Sequence, residues 1–300
     1  MVTASAVANR YHGRRAVLAT RHGKEHAVTE PLWATLGLSV EVADVDTDAL
    51  GTFTGEIERP GTMLETAIAK ARLGMRHAGA DLGLASEGSY GPHPFAPFLP
   101  SGTELLVLVD DAAGITMHET QLCERTNFDH ATTRDVAALE PFLRRVGFPE
   151  HGLVVQPNAP PRRLRLPFAG RESAAAVSKG IRTPGQLKAA IARAARLSQD
   201  GLARVTTDMR AFMNPTRMAM IARLAQRLAD RVATPCPACT APGFGPIEPK
   251  RGLPCAQCGT PTELVTAEVS GCIACEHRLE SPRRDGATTA EPTYCNWCNP

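Results

Sequence analysis

The apolar residues of the first half of the chain fall into strand-length runs separated by stretches with helical spacing. Arg15-Ala-Val-Leu-Ala-Thr20 is an apolar run ending in small and polar residues, which predicts a buried strand. A helix is expected over 24–36, and the alternation over 39–45 predicts a second strand. Pro60-Gly61-Thr62 then opens a helix over 63–78, with Leu64, Ala67, Ile68 and Ala71 on one face. A strand over 81–85 and a hairpin of 104–109 with 115–122 follow, the latter turning at Asp110-Asp-Ala-Ala-Gly114. Further on come a helix over 135–146, a strand over 151–156 and a Pro/Arg-rich loop over 157–170. Amphipathic helices over 186–197 and 216–232 flank a strand over 203–207. Mixed strands and helices define an α/β domain over 14–233, a mixed sheet with flanking helices, preceded by a disordered lead-in over 1–13.

The last segment, 234–300, departs from this pattern. Eight of the nine cysteines lie there as four Cys-x-x-Cys pairs: Cys236/Cys239, Cys255/Cys258, Cys272/Cys275 and Cys295/Cys298. A tight turn aims both sulfurs of a pair at one point, and two pairs close a tetrahedral shell with no position left for water. The expectation is two structural zinc ions in a small ribbon-like module. The N-terminus carries no secretory pattern, which disfavours disulfides and points to the cytoplasm. Cys123, the ninth cysteine, reads as a reduced core or strand residue.

Composition adds two bounds. The chain of 300 residues is 43% hydrophobic, enough for a real core, yet no apolar run is long enough to span a membrane. Its net charge of +2 hides a partition: residues 1–161 carry 13 Lys/Arg against 20 Asp/Glu, residues 162–231 carry 15 against 4, and residues 232–300 carry 5 against 7. The middle segment therefore seeks anions. It is expected to fold back on the acidic first half, leaving Arg210 and Arg217 in a cleft beside Lys24 and Glu87. The competing arrangement is a separate basic arm suited to nucleic acid.

Three stretches carry candidate chemistry. Ala19-Thr20-Arg21-His22-Gly23-Lys24 closes the first strand, where a lysine before a helix N-terminus is a natural phosphate site. Leu64-Glu65-Thr66-Ala67-Ile68-Ala69-Lys70-Ala71-Arg72 lies at the start of the long helix, and Leu84-Ala85-Ser86-Glu87-Gly88-Ser89 ends the next strand. Glu65 and Glu87 offer hard oxygen ligands for magnesium. In order and spacing these stretches resemble the inosine-triphosphatase-like nucleoside triphosphate pyrophosphatases. That resemblance implies their fold, Thr20, His22, Lys24 and Lys70 as substrate-binding residues, and Glu65 and Glu87 as magnesium-holding catalytic residues. Arg21 and His22 depart from the family's Gly-Asn, and Glu87-Gly88 from its Asp-Asp-Ser-Gly.

A second site is expected over Asp208 to Arg217. Asp208, Arg210, Asn214 and Arg217 are expected to bind substrate, with Arg210 and Arg217 suited to bidentate phosphate or carboxylate contacts and Asn214 also the N-cap of the last helix; the competing reading is that Asp208 only pairs with Arg210 and Asn214 only caps. His93, between prolines in Gly91-Pro-His-Pro94, is a candidate substrate contact on a stiff loop. The stretches 85–94 and 207–218 and the terminal Tyr294-Cys-Asn-Trp-Cys-Asn-Pro300 also resemble a bacterial family known only as a domain of unknown function. Within the zinc module, 252–275 resembles the ribbon hairpin of formamidopyrimidine-type DNA glycosylases. That resemblance favours Cys255, Cys258, Cys272 and Cys275 at one metal and the outer four at the other; pairing first with second and third with fourth also stays open. The functional expectation is a metal-dependent nucleotide or phosphate-ester hydrolase acting on a phosphate-bearing small molecule. The alternatives are a non-enzymatic nucleic-acid- or protein-binding protein and an anion sensor without turnover.

Overall fold

The first apolar run forms β1 (Arg15–Ala19), with all but its first residue buried. A computed structural model describes residues 10–51, 57–93, 99–123, 126–159 and 176–300. After β1 come α1 (Glu25–Leu36), β2 (Ser39–Ala43), α2 (Met63–Ala78), β3 (Leu82–Pro92), β4 (Pro100–Asp110) and β5 (Ile115–Cys123). They build a five-stranded mixed sheet in the order β2-β1-β3-β4-β5. Strands β2 and β3 run parallel to β1, as the helical crossovers require, while β4 and β5 return as antiparallel hairpin strands. Alternation along β1 separates the two faces. Ala16 and Leu18 join the core under α1, and Val17 and Ala19 join the side covered by α2.

A second sheet lies in the part of the chain expected to complete the first. Strands β6 (His130–Thr133), β7 (Leu153–Pro157), β8 (Ser178–Ile181) and β9 (Ala203–Thr207) are antiparallel in the order β6-β9-β7-β8. With α3 (Glu140–Val146) and α4 (Pro184–Leu197) they enclose a separate core around Phe142, Leu153, Val155, Leu187, Ile191 and Val205. α4 opens on a capping box between Thr183 and Gln186. The long α5 (Pro215–Ala233) then leaves this lobe and packs on the first. Its Ile221, Leu224, Leu228 and Val232 share one cluster with Leu32, Leu36, Leu106 and Leu108. The basic middle segment thus folds back as expected where it is described: Arg217 pairs with Glu104, and Arg227 and Arg231 pair with Glu119.

Several expectations change. Residues 10–13 are not a loose lead-in, because Tyr11 is fully buried in the first core; residues 1–9 lie outside the described residues. β3 runs past 85 to Pro92 because its whole length pairs with β4, so Glu87 sits inside a strand, opposite Leu105, rather than on a loop. The helix expected over 135–146 is a 3-10 turn followed by the short α3. Of the Pro/Arg-rich loop, residues 160–170 lie outside the described residues. The cysteine-rich segment forms a three-stranded antiparallel sheet, β10 (Gly245–Arg251), β11 (Val265–Gly271) and β12 (Arg278–Pro282). It is anchored to the first lobe through Ile273, packed on the main core, and through Arg231, which donates to the carbonyl of Gly243.

Candidate anion site and metal centres

The turn after β1 is closed by Thr20, whose Oγ1 accepts from the amide of His22 at 3.1 Å. Gly23 follows at φ +67°, a left-handed conformation that costs a glycine little. This turn places Lys24 at the start of α1 with its side chain buried and donating to the carbonyl of Ser86 on the central strand β3 at 2.9 Å. Among the described residues no carboxylate lies within ion-pair distance of it. Burial and the nearby Arg217 charge outweigh the pull of Glu104 and Glu87 and lower the Lys24 pKa to about 8. His22 is pushed down further, to about 3, by burial and then by Lys24, Arg217 and Arg210, so the imidazole is neutral near pH 7.

Three carboxylates, each paired with one or two cations, surround Lys24. Glu87 on β3 accepts from Lys70 of α2 and, at 3.2 Å, from Arg59, which also reaches the carbonyl of Gly88. Arg217, on the first turn of α5, donates through Nε to Glu104 Oε1 at 2.5 Å and to the carbonyl of Met209. Burial opposes the Arg217 charge, but Glu104 and Tyr90 more than offset it and hold its pKa above the ordinary value. Tyr90 lies under the guanidinium and donates its hydroxyl to Glu104 at 2.5 Å. Gly88 leaves room for this pair, because a β-carbon there would collide with the ends of the Arg217 and Glu104 side chains and push them aside. Asp208 is the third carboxylate, and Arg210 forks onto it with contacts of 3.0 and 2.6 Å. It also stacks on Phe212, 4.9 Å from the ring centre, and Phe212 meets His22 at 5.8 Å.

Together these groups line a cavity of about 230 Å³ bounded by Thr20, His22, Lys24, Lys70, Glu87, Arg210 and Arg217, with Arg59 and Ser86 beside them. The turn of β1, the hairpin strand β3 and the β9–α5 junction, distant in sequence, thus converge on one site. Asp208 and Asn214 support it from behind. Asp208 is wholly buried and accepts from the amide of Gly180, and Asn214 caps α5 through the amide of Arg217 while donating to Asn127. The other expected residues lie elsewhere. Glu65 is exposed and closes the capping box of α2, accepting from the Thr62 amide at 2.9 Å, and does not reach the cavity. His93 stands at the end of β3, outside the cavity lining. Arg59, Ser86 and Glu104 were missed by sequence reasoning.

A magnesium site does not fit this arrangement. Both oxygens of Glu87 already accept from cations, and among the described residues the groups of metal-ligating side chains are the cysteine tetrads. The tetrads do fit zinc. Their sulfurs gather as Cys236, Cys239, Cys272 and Cys275, and as Cys255, Cys258, Cys295 and Cys298, each set within 4.8 Å. Contacts of 3.8 and 3.6 Å in the first set and 3.9 and 3.6 Å in the second are near the ligand-to-ligand edge of a zinc tetrathiolate. That edge is roughly 3.8 Å for Zn–S bonds of about 2.3 Å. Amides of Ala238, Gln257 and Ala274 point at the first sulfur of their turns, as thiolates require. Neither expected pairing forms: first joins third and second joins fourth. The sheet dictates this. Gly245 at the start of β10 lies opposite Gly271 at the end of β11, so the turns flanking them share one end. Cys255 is bridged to Ala290 just before the fourth turn at the other end.

Fold and site define a two-lobed α/β protein with a cation-lined cavity between distant segments and an appended double-tetrathiolate module. The chain belongs to the family described as Domain of unknown function (DUF6671), whose sequence model matches residues 70–300. No curated protein and no solved structure matches it, so the likeness to inosine-triphosphatase-like enzymes gains no support from the fold. No helix among the described residues is long and apolar enough to cross a membrane.

Proposed function

We propose that the cavity binds a small phosphate-bearing molecule and that the cysteine module is a zinc-held scaffold. The observation that carries this is Lys24, a buried ammonium whose protein contact is a backbone carbonyl rather than a carboxylate. A buried charge without a counter-ion is costly, and an anion entering the cavity supplies that counter-ion. The surrounding charges are otherwise matched: Lys24, Arg59, Lys70, Arg210 and Arg217 face the buried carboxylates Glu87, Glu104 and Asp208 together with Asp48 and the exposed Glu58, so Lys24 is the group left without an ion-pair partner. Thiolate metal sites also suit a reducing compartment such as the cytoplasm.

Hydrolysis of that ligand, the finer reading, keeps Glu87 as its carboxylate, but magnesium would have to displace Lys70 and Arg59 from it. Nucleic-acid binding would draw on Arg162, Arg163, Arg165 and Arg171, which lie outside the described residues. A panel of nucleotides, sugar phosphates and inorganic phosphate, titrated calorimetrically with and without magnesium, separates these. Saturable binding of a phosphate compound that is lost in Lys24→Met supports the site, and release of phosphate or pyrophosphate only with magnesium supports the hydrolase. Absence of any binding to the panel, with tight salt-sensitive binding to oligonucleotides instead, would favour the nucleic-acid reading.

A further inference from the structure

Ser86 sits on β3 between the two charged centres, one residue before Glu87 and 3% exposed. Its carbonyl holds Lys24, and the residue borders the same cavity. Its hydroxyl is buried and has no hydrogen-bond partner. Buried hydroxyls are nearly always paired, and an exception beside a cavity needs an explanation. A serine in the middle of a strand could have been alanine at no cost to the sheet: its neighbour Ala85 is equally buried and purely apolar.

The unsatisfied hydroxyl and the ammonium without a counter-ion make complementary demands on one group. We infer that Ser86 Oγ and Lys24 Nζ are paired donors of a subsite for a phosphomonoester, resting on the reading of the cavity as an anion site. Lys24 has three N–H donors and spends one on the Ser86 carbonyl, leaving two for the ligand, and Ser86 adds a third. A phosphomonoester offers three terminal oxygens, one for each of these donors, and close to two negative charges near neutrality to set against the unpaired ammonium. A carboxylate has two oxygens and one charge, so two of the three donors would have to share an oxygen. The N-terminus of α1, starting directly after Lys24, adds its partial positive charge on the same side. In this arrangement the hydroxyl donates to one phosphate oxygen and the ammonium to the others, with Arg210 and Arg217 held by their carboxylates as a positive wall.

The test uses inorganic phosphate and acetate as probes with the full, metal-loaded chain. Ser86→Ala removes one oxygen, so its thermal melt is expected to stay within a degree or two of the parent. Its phosphate affinity is expected to fall by about tenfold or more, as for a lost hydrogen bond to a charged group, and acetate to bind weakly to both proteins. If Ser86→Ala binds phosphate as the parent does while Lys24→Met does not, the anion site stands and Ser86 is no part of it. If acetate competes as well as phosphate and is equally sensitive to Ser86→Ala, the phosphomonoester assignment fails. If the parent binds neither, the reading of the cavity itself fails.

Discussion

Lys24 concentrates the conflict between folding and binding in one side chain. Its folded pKa of about 8 lies below the ordinary lysine value of 10.5, so between those pH values the unfolded chain holds a proton that the folded one has released. Stability contributed at this residue therefore rises as pH climbs from about 8 toward 10.5, and below 8 the buried charge is a burden. Lys24→Met should raise the melting temperature at pH 7 in the absence of ligand and flatten the rise between pH 7.5 and 10. The same titration removes the anion's partner, so phosphate affinity in the parent should decline through about pH 8. Parallel melts and titrations of the two proteins check both halves, and a parent whose affinity is level across that range would dissociate Lys24 from binding. Lys24 was legible because a lysine closing a strand before a helix has few other uses. Glu65 offers a magnesium ligand in the sequence, but Thr62-x-x-Glu65 also spells a capping box, and in the fold its side chain serves that cap. Ser86 and Glu104 had no such mark, since an inward polar residue in a strand reads like any other break in alternation.

At the scale of elements, the buried pair of Arg217 and Glu104 pins α5 to the hairpin strand β4. Both side chains are almost wholly buried, and Tyr90 and the Met209 carbonyl complete their hydrogen bonds. Removing one partner leaves an uncompensated charge inside the protein, so Arg217→Met should cost about 3–5 kcal/mol in denaturant unfolding. The double replacement Arg217→Met with Glu104→Leu should recover part of that loss, because no unpaired charge is left, while the Tyr90 hydroxyl and the Met209 carbonyl still lose their partners. A double variant no more stable than the single one would show that the pair works through geometry around Gly88 rather than through charge. The helices of this region were readable because α2, α4 and α5 carry clear apolar faces and caps. β6 and β8 were not: each has four residues and only one buried side chain, too little alternation to stand out. Missing them merged two sheets into one, since the strands that remained, β7 and β9, pass for additions to the first sheet.

At the scale of the whole molecule, the interleaved cysteine turns make the tail one unit rather than two beads. Each cysteine tetrad joins the segment before β10 or before β11 to a segment beyond the opposite strand, so a zinc ion in each would clamp both ends of the small sheet. The eight ligands and their number of sites were plain from spacing, whereas the pairing depends on which strand ends coincide, and β10 and β12, rich in proline and charge, were not recognisable as strands. Metal analysis should return two zinc ions per chain, and chelation should unfold the tail, because binding energy in such modules is folding energy. The pairing itself is separable by removing turns two at a time. Replacing Cys236, Cys239, Cys272 and Cys275 by serine deletes one tetrad and leaves Cys255, Cys258, Cys295 and Cys298 intact, so one zinc should remain with tetrahedral thiolate spectra after cobalt substitution. Under either other pairing the same replacement would strip two ligands from each site and leave no complete tetrad. Retention of one ion by this variant, together with loss of both when Cys236, Cys239, Cys255 and Cys258 are replaced instead, is the expected outcome; the reverse pattern would overturn the interleaved arrangement.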